Sequence, residues 1–139
     1  MRTSTSNAQW NGVIKSGSGE MLLGDVSFPY SFNSRMEGGP GSTPEEMLGA
    51  ALAGCYSMAL SGGLERAGFP GQQVKSNAKT NFDNVEGAWT VVSIDLDVQA
   101  KVPGIDDAKF QEIANGTKTA CPVSRALAAV KINLSAKLV

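Results

Sequence analysis

Polar and apolar residues alternate strictly over two long stretches of the chain. In "TVVSIDLDVQAKV", Val92, Ile94, Leu96, Val98, Ala100 and Val102 share one face, and Ser93, Asp95, Asp97, Gln99 and Lys101 share the other. The C-terminal "VKINLSAKLV" repeats the pattern, with Val130, Ile132, Leu134, Ala136 and Leu138 set against Lys131, Asn133, Ser135 and Lys137. A weaker alternation runs through "VKSNAKTNF" from Val74. Successive side chains of an extended backbone point to opposite sides, so period two with one polar face predicts half-buried antiparallel strands. The turn-rich "DNVEG" at 83–87 joins two of them in a hairpin. Near the N-terminus, "AQWNGVI" and "EMLLGDVSF" each read as a further strand.

Two helical regions interrupt this pattern. The first starts at "TPEE", where Thr43 is the N-cap, Pro44 takes the first helical position and Glu46 stands three residues after the cap. It stops near "ERAGFP", where Gly68 and Pro70 end it. At 1.5 Å per residue its span is about 36 Å, long for a domain of this size. The stretch "MLGAALAGCYSMALSGGL" within it carries no charge and approaches the length of a membrane span. Its Ala, Gly, Ser and Met content fits a buried central helix better, and we expect no membrane insertion. The second region runs from about Asp106 to Ala120, with a short helix after Cys121. Strands grouped at each end with helices between them predict an α+β fold, a single domain over 1–139. A helix apolar on most sides needs more than one covering surface, which a partner subunit can supply.

Composition narrows the function classes. Twelve basic and thirteen acidic residues are evenly mixed, with no basic block or aromatic-basic stripe, so nucleic acid is not an expected partner. The opening "MRTSTSNAQW" lacks an apolar signal core, which points to the cytoplasm. The absence of histidine and of a C-x-x-C spacing argues against a metal site and removes any Ser-His or Cys-His couple. No cofactor is expected.

What chemistry remains lies in the two cysteines. A reducing cytosol seldom holds a permanent disulfide, leaving redox chemistry or inert burial. Cys55 falls on the stripe Leu48, Ala51, Leu52, Cys55, Ala59 at helical spacing, which a small buried hydrophobe would also occupy. Its neighbours Ala53, Gly54 and Ser57 leave room for another backbone or a ligand. Cys121 precedes Pro122 at a helix start, where backbone N–H groups favour a thiolate; a solvated cap of no consequence fits that position equally. Spacing alone does not pair the two thiols.

The motifs "TPEEMLGAALAGCYSMALS" and "ACPVSRAL", with "FNSRMEG" upstream and "AKVPGID" between, resemble the osmotically inducible protein C (OsmC) and organic hydroperoxide resistance family over nearly the whole chain. "FNSRMEG" and "CPVS" favour the OsmC branch. The resemblance implies a thiol-dependent peroxidase acting on organic hydroperoxides, and less well on hydrogen peroxide, as an intertwined homodimer with its active sites at the interface. It implies that Cys55 is the peroxidatic residue and Cys121 the resolving one, and that Arg35 and Glu45 match the family's arginine and glutamate. Arg35 would stabilise the thiolate and polarise the peroxide, with Glu45 orienting the guanidinium. A dithiol, in the family often a dihydrolipoyl protein, would restore the thiols. Glu45 precedes Cys55 by ten residues, about 15 Å along one helix, so the Arg35–Glu45 pair is expected to meet Cys55 across the dimer interface. The alternative is a non-catalytic redox sensor or ligand-binding module on the same fold.

Overall fold

The sharpest boundary in the chain is written into "STPEE". Thr43 Oγ1 accepts from the Glu46 amide at 3.0 Å while the Glu46 carboxylate accepts from the Thr43 amide at 2.9 Å. This reciprocal capping box opens the long helix expected there. The computed structural model describes all of residues 1–139. They divide into two units, Met1–Met47 and Leu48–Val139.

The first unit holds an antiparallel meander of β1 (Ser6–Asn11), β2 (Ser18–Leu23) and β3 (Val26–Ser31), followed by the short helix α1 (Phe32–Met36). "EMLLGDVSF", read above as one strand, is two. Gly24 adopts φ +60 and, with Asp25, turns the chain back so that Leu23 pairs Val26. A glycine that accepts positive φ made a two-residue hairpin turn where apolar content alone suggested continuity. Ser31 caps α1 through a second reciprocal box with Ser34.

In the second unit β4 (Gln73–Val85), β5 (Ala88–Lys101) and β6 (Lys131–Leu138) form one sheet in that order. The hairpin at 83–87 is present: Glu86 and Gly87 both take positive φ, as a type I′ turn requires. Ile94, Leu96, Val98 and Ala100 are buried as their alternation predicted. Val92 is not, because the register shifts between Asn81 and Phe82 and leaves it as the extra residue of a bulge. β6 departs from expectation, since it pairs with β5 in parallel, Ser93 opposite Lys131 through Ala100 opposite Leu138. The connection between them contains α3 (Asp107–Ala120) and α4 (Pro122–Ala126), long enough for the helical crossover that parallel neighbours need. Alternation fixes which face a residue takes and says nothing of strand direction.

Helix α2 (Pro44–Arg66) ends as "ERAGFP" suggested. The Phe69 amide reaches the Leu64 carbonyl and the Gly68 amide the Glu65 carbonyl, a Schellman motif for which Gly68 supplies φ +87. Its buried stripe is Gly49, Leu52, Tyr56, Leu60 and Leu64, packed with Ile94, Leu96, Val98 and Phe110. Of the stripe read from sequence, Leu52 is buried, Leu48, Cys55 and Ala59 flank the core, and Ala51 is exposed. Because small apolar residues surround this helix, sequence pattern selects the inward face only in part. Nor is the helix buried on most sides within one chain, since Met58 remains 80% exposed. Small residues set its close approaches. A Cβ on Gly49 would meet Thr80 Oγ1 at 2.9 Å, and one on Gly63 would meet Ile113 Cγ2 at 3.2 Å.

Candidate active site

Cys121 is fixed from both sides by backbone hydrogen bonds. Its amide donates to the Thr117 carbonyl to close α3, and its own carbonyl accepts from the Arg125 amide to open α4. Pro122 follows at the first position of α4, where a missing N–H costs nothing. The side chain is wholly buried, at 0% exposure. Cys55 projects from the edge of the α2 stripe and is half-buried.

The two sulfurs lie 2.7 Å apart, both as free thiols. That is inside ordinary van der Waals contact, yet longer than the roughly 2.05 Å of a disulfide bond. The two cysteines are 66 positions apart, separated by the β4–β5 hairpin and α3, so the pairing is a product of tertiary structure. Tyr56, next to Cys55, donates from Oη to the Ala114 carbonyl at 2.9 Å and ties α2 to α3. Ser57 Oγ lies 2.7 Å from Ser76 Oγ, tying the same turn to β4.

The surroundings divide the two thiols. Burial pushes the Cys121 thiol up, but the hydrogen bond from Cys55, the Ser124 and Val123 amides and the Ser124 hydroxyl outweigh it and hold Cys121 below the ordinary thiol value. Burial pushes Cys55 up, the hydrogen bond to Cys121 and that neighbour's charge raise it further, and the Val123 amide opposes them only in part. The pair therefore loses its first proton as a unit, and the charge rests mainly on Cys121. The amide donors expected from a helix start are present. Ser124, placed in "CPVS" without a role by sequence reasoning, stands three residues beyond this capping residue, and its hydroxyl favours the ionised form of Cys121.

Arg35 and Glu45 lie in the first unit and engage one another. Arg35 Nε is 3.1 Å from both carboxylate oxygens of Glu45, and Nη2 is 2.5 Å from Oε1. Arg35 stands in the last turn of α1 and Glu45 in the first turn of α2. The Arg35 side chain is 40% exposed and that of Glu45 11%, and this half-buried pair holds a planar guanidinium in one orientation. No group of three or more His, Cys, Asp or Glu side chains is placed to hold a metal ion.

A fold of this topology has counterparts among solved structures. The chain belongs to the OsmC-like protein family, whose model matches residues 37–135. It is 41% identical over 125 residues to peroxiredoxin OsmC of Escherichia coli (strain K12), covering 88% of this chain and 87% of that one. An organic hydroperoxide resistance protein of Xanthomonas axonopodis pv. citri (strain 306) is 26% identical over 91 residues, 64% of this chain and 61% of that one. Among solved structures, the OsmC-like protein from Mycoplasma pneumoniae superposes with a TM-score of 0.79 at 16% identity, over 99% of this chain and 98% of that one. The organic hydroperoxide resistance protein OhrB of Bacillus subtilis does so at 0.71 and 22%, over 96% and 98%. These two share the fold.

Proposed function

We propose that this protein is a thiol-dependent peroxidase that reduces organic hydroperoxides, and hydrogen peroxide less well, through Cys55 and Cys121. The observation that carries the reading is the 2.7 Å approach of two free thiols from separate elements, in a chain similar to a protein named peroxiredoxin OsmC.

Cys55 is the thiol of the pair that solvent reaches, and it is the attacking residue in this reading. Removing one proton from the pair leaves a charge that either sulfur can carry, because the remaining proton moves along the short contact between them. With the proton on Cys121, the Cys55 thiolate attacks the distal peroxide oxygen. The O–O bond breaks, the alkoxide leaves and takes a proton to become an alcohol, and Cys55 is left as a sulfenic acid. The Cys121 sulfur then attacks the Cys55 sulfur, hydroxide leaves as water, and a disulfide forms before further oxidation can occur. A dithiol reductant, such as a dihydrolipoyl protein, returns both thiols by exchange. Arg35, oriented by Glu45, draws the negative charge to Cys55 and polarises the peroxide, work for which no histidine is present. In this reading the pair acts across a homodimer interface.

Pre-reduced protein mixed with cumene hydroperoxide tests the proposal. One equivalent of hydroperoxide consumed per subunit, with loss of two free thiols, is expected, followed by sustained turnover when dihydrolipoamide is supplied. Thiol loss without turnover would favour a redox sensor, and no peroxide loss would overturn the enzyme reading.

A further inference from the structure

Ser124 is 6% exposed, and its Oγ is buried without a hydrogen-bond partner in the dithiol form. An unpaired buried hydroxyl is unfavourable and uncommon in a folded protein, so its retention calls for a role. Its position supplies one. Cys121 is the residue that caps α4, and Ser124 stands three residues on, where a side chain reaches back toward the cap. Cys121 makes no side-chain capping bond while it is a thiol. As an anion, its sulfur can accept from the amides of Val123 and Ser124 and from the Ser124 hydroxyl, and these groups favour its ionised form. The titratable groups facing it are Cys55 and Tyr56, both on α2. Burial keeps the Tyr56 phenol protonated far above its ordinary range, and its hydroxyl is committed to Ala114.

We propose that Ser124 is a positioning residue that donates to the Cys121 thiolate, so that when the Cys55–Cys121 disulfide is reopened the reductant attacks Cys55 and Cys121 is the sulfur that leaves. The inference rests on the peroxidase reading for its setting. The incoming thiolate of a dithiol forms a bond to Cys55 Sγ. The S–S bond breaks and its electron pair goes to Cys121 Sγ, where the Ser124 hydroxyl and the two amides receive it. The second thiol of the reductant then attacks its own mixed-disulfide sulfur, releasing Cys55 as a thiolate and leaving the reductant as an intramolecular disulfide. Two features direct the attack. Cys55 is the half-buried sulfur and Cys121 the fully buried one, and the more acidic thiol is the faster leaving group.

Thiolate absorbance titration in the Cys55→Ala background isolates Cys121 and needs no peroxide turnover. Adding Ser124→Ala should raise the Cys121 pKa by about one unit, the effect of one hydrogen bond to a charged group, while Ser124→Thr, which keeps the donor, should leave it near the parent value. In the otherwise native dithiol protein, Ser124→Ala should not lower the thermal midpoint, because the hydroxyl it removes has no partner there. In that same protein, reopening of the disulfide by dihydrolipoamide should slow roughly 3- to 10-fold. Mass spectrometry of the mixed disulfide trapped with a monothiol should place the adduct on Cys55. An unmoved Cys121 pKa in Ser124→Ala, or an adduct on Cys121, would overturn the proposal whether or not the protein turns over peroxide. Failed turnover with a shifted pKa would overturn the peroxidase reading and leave the Ser124 assignment standing.

Discussion

Tyr56 Oη donates to the Ala114 carbonyl at 2.9 Å, and each of these residues leads directly to a cysteine. Tyr56 adjoins Cys55 on α2, and Ala114 lies two helical turns before Cys121 on α3. The bond thus clamps the two segments whose sulfurs must meet. It also joins the titration of a phenol to the stability of the site.

Replacing Tyr56 by Phe should cost about 1 kcal/mol at neutral pH, the net worth of one such hydrogen bond. At alkaline pH this advantage shrinks. Burial holds the folded-state phenol well above its ordinary value, so the protonated form is favoured by folding. That contribution is full below about pH 10, the ordinary tyrosine value, and is lost as pH rises toward the folded-state value. Urea midpoints measured at pH 7 and at pH 10.5 should therefore converge between wild type and Tyr56→Phe, and a gap that widens at high pH would contradict this.

The division of labour between the thiols can be read by trapping. With one equivalent of peroxide, Cys121→Ser should accumulate a sulfenic acid on Cys55 that a dimedone-type probe labels in stoichiometric yield. Cys55→Ser should consume peroxide at no more than a background rate and label weakly, although its remaining thiol is the more acidic one. Strong label on Cys121 with peroxide still consumed would exchange the two roles.

Arg35 should behave as an oriented fork and not as a simple positive charge. Arg35→Ala is expected to lower the second-order rate with organic hydroperoxide roughly 100-fold, the scale of losing one preorganised donor. Arg35→Lys should recover little, since an ammonium cannot reproduce the bidentate hold of Glu45 on the guanidinium. Arg35→Ala should also lower the thermal midpoint, because the Glu45 side chain is only 11% exposed and loses this partner, whereas Arg35→Lys, which keeps the charge, should lower it less.

A polar lattice on the outer face of the second sheet predicts acid sensitivity. Asp95 accepts from Asn133 Nδ2 at 2.7 Å and Asn81 Nδ2 at 2.9 Å. These bonds hold its carboxyl below the ordinary range, with smaller help from Lys79 and Lys131 against a slight burial effect. A depressed folded-state value stabilises the fold above about pH 4 and is lost as pH falls through that value. Asn133→Ala should lower the urea midpoint at pH 7 and shift the acid-unfolding midpoint, followed by circular dichroism, to higher pH, with the gap to wild type closing as pH falls below about 4.

Much of this was readable from residues, and the failures have physical causes. The ends of α2 followed from Thr43, Glu46 and Gly68 because caps are local chemistry. The inner face of β5 followed from alternation until the bulge at Asn81/Phe82 displaced Val92. The inward face of α2 followed only in part, because a helix rich in Ala, Gly and Ser offers little contrast to read, and the large Leu52, Tyr56, Leu60 and Leu64 mark the face that packs. The direction of β6 depended on a crossover that no local signal encodes. Family resemblance singled out Cys55 and Cys121 where spacing could not, and the fold then set their sulfurs side by side. Ser124 went unnoticed because its significance comes from lacking a partner, a property that exists only once the chain is folded.

The parallel pairing of β6 with β5 also bears on biosynthesis. Translation delivers both cysteines before the strand that locks the crossover carrying the second of them. A nascent or proteolytically clipped chain lacking β6 would hold its two thiols in register only through the Tyr56–Ala114 bond and the packing of α2 against α3. In such a chain Cys121, wholly buried in the intact fold, should react faster with alkylating reagents than it does in the whole protein.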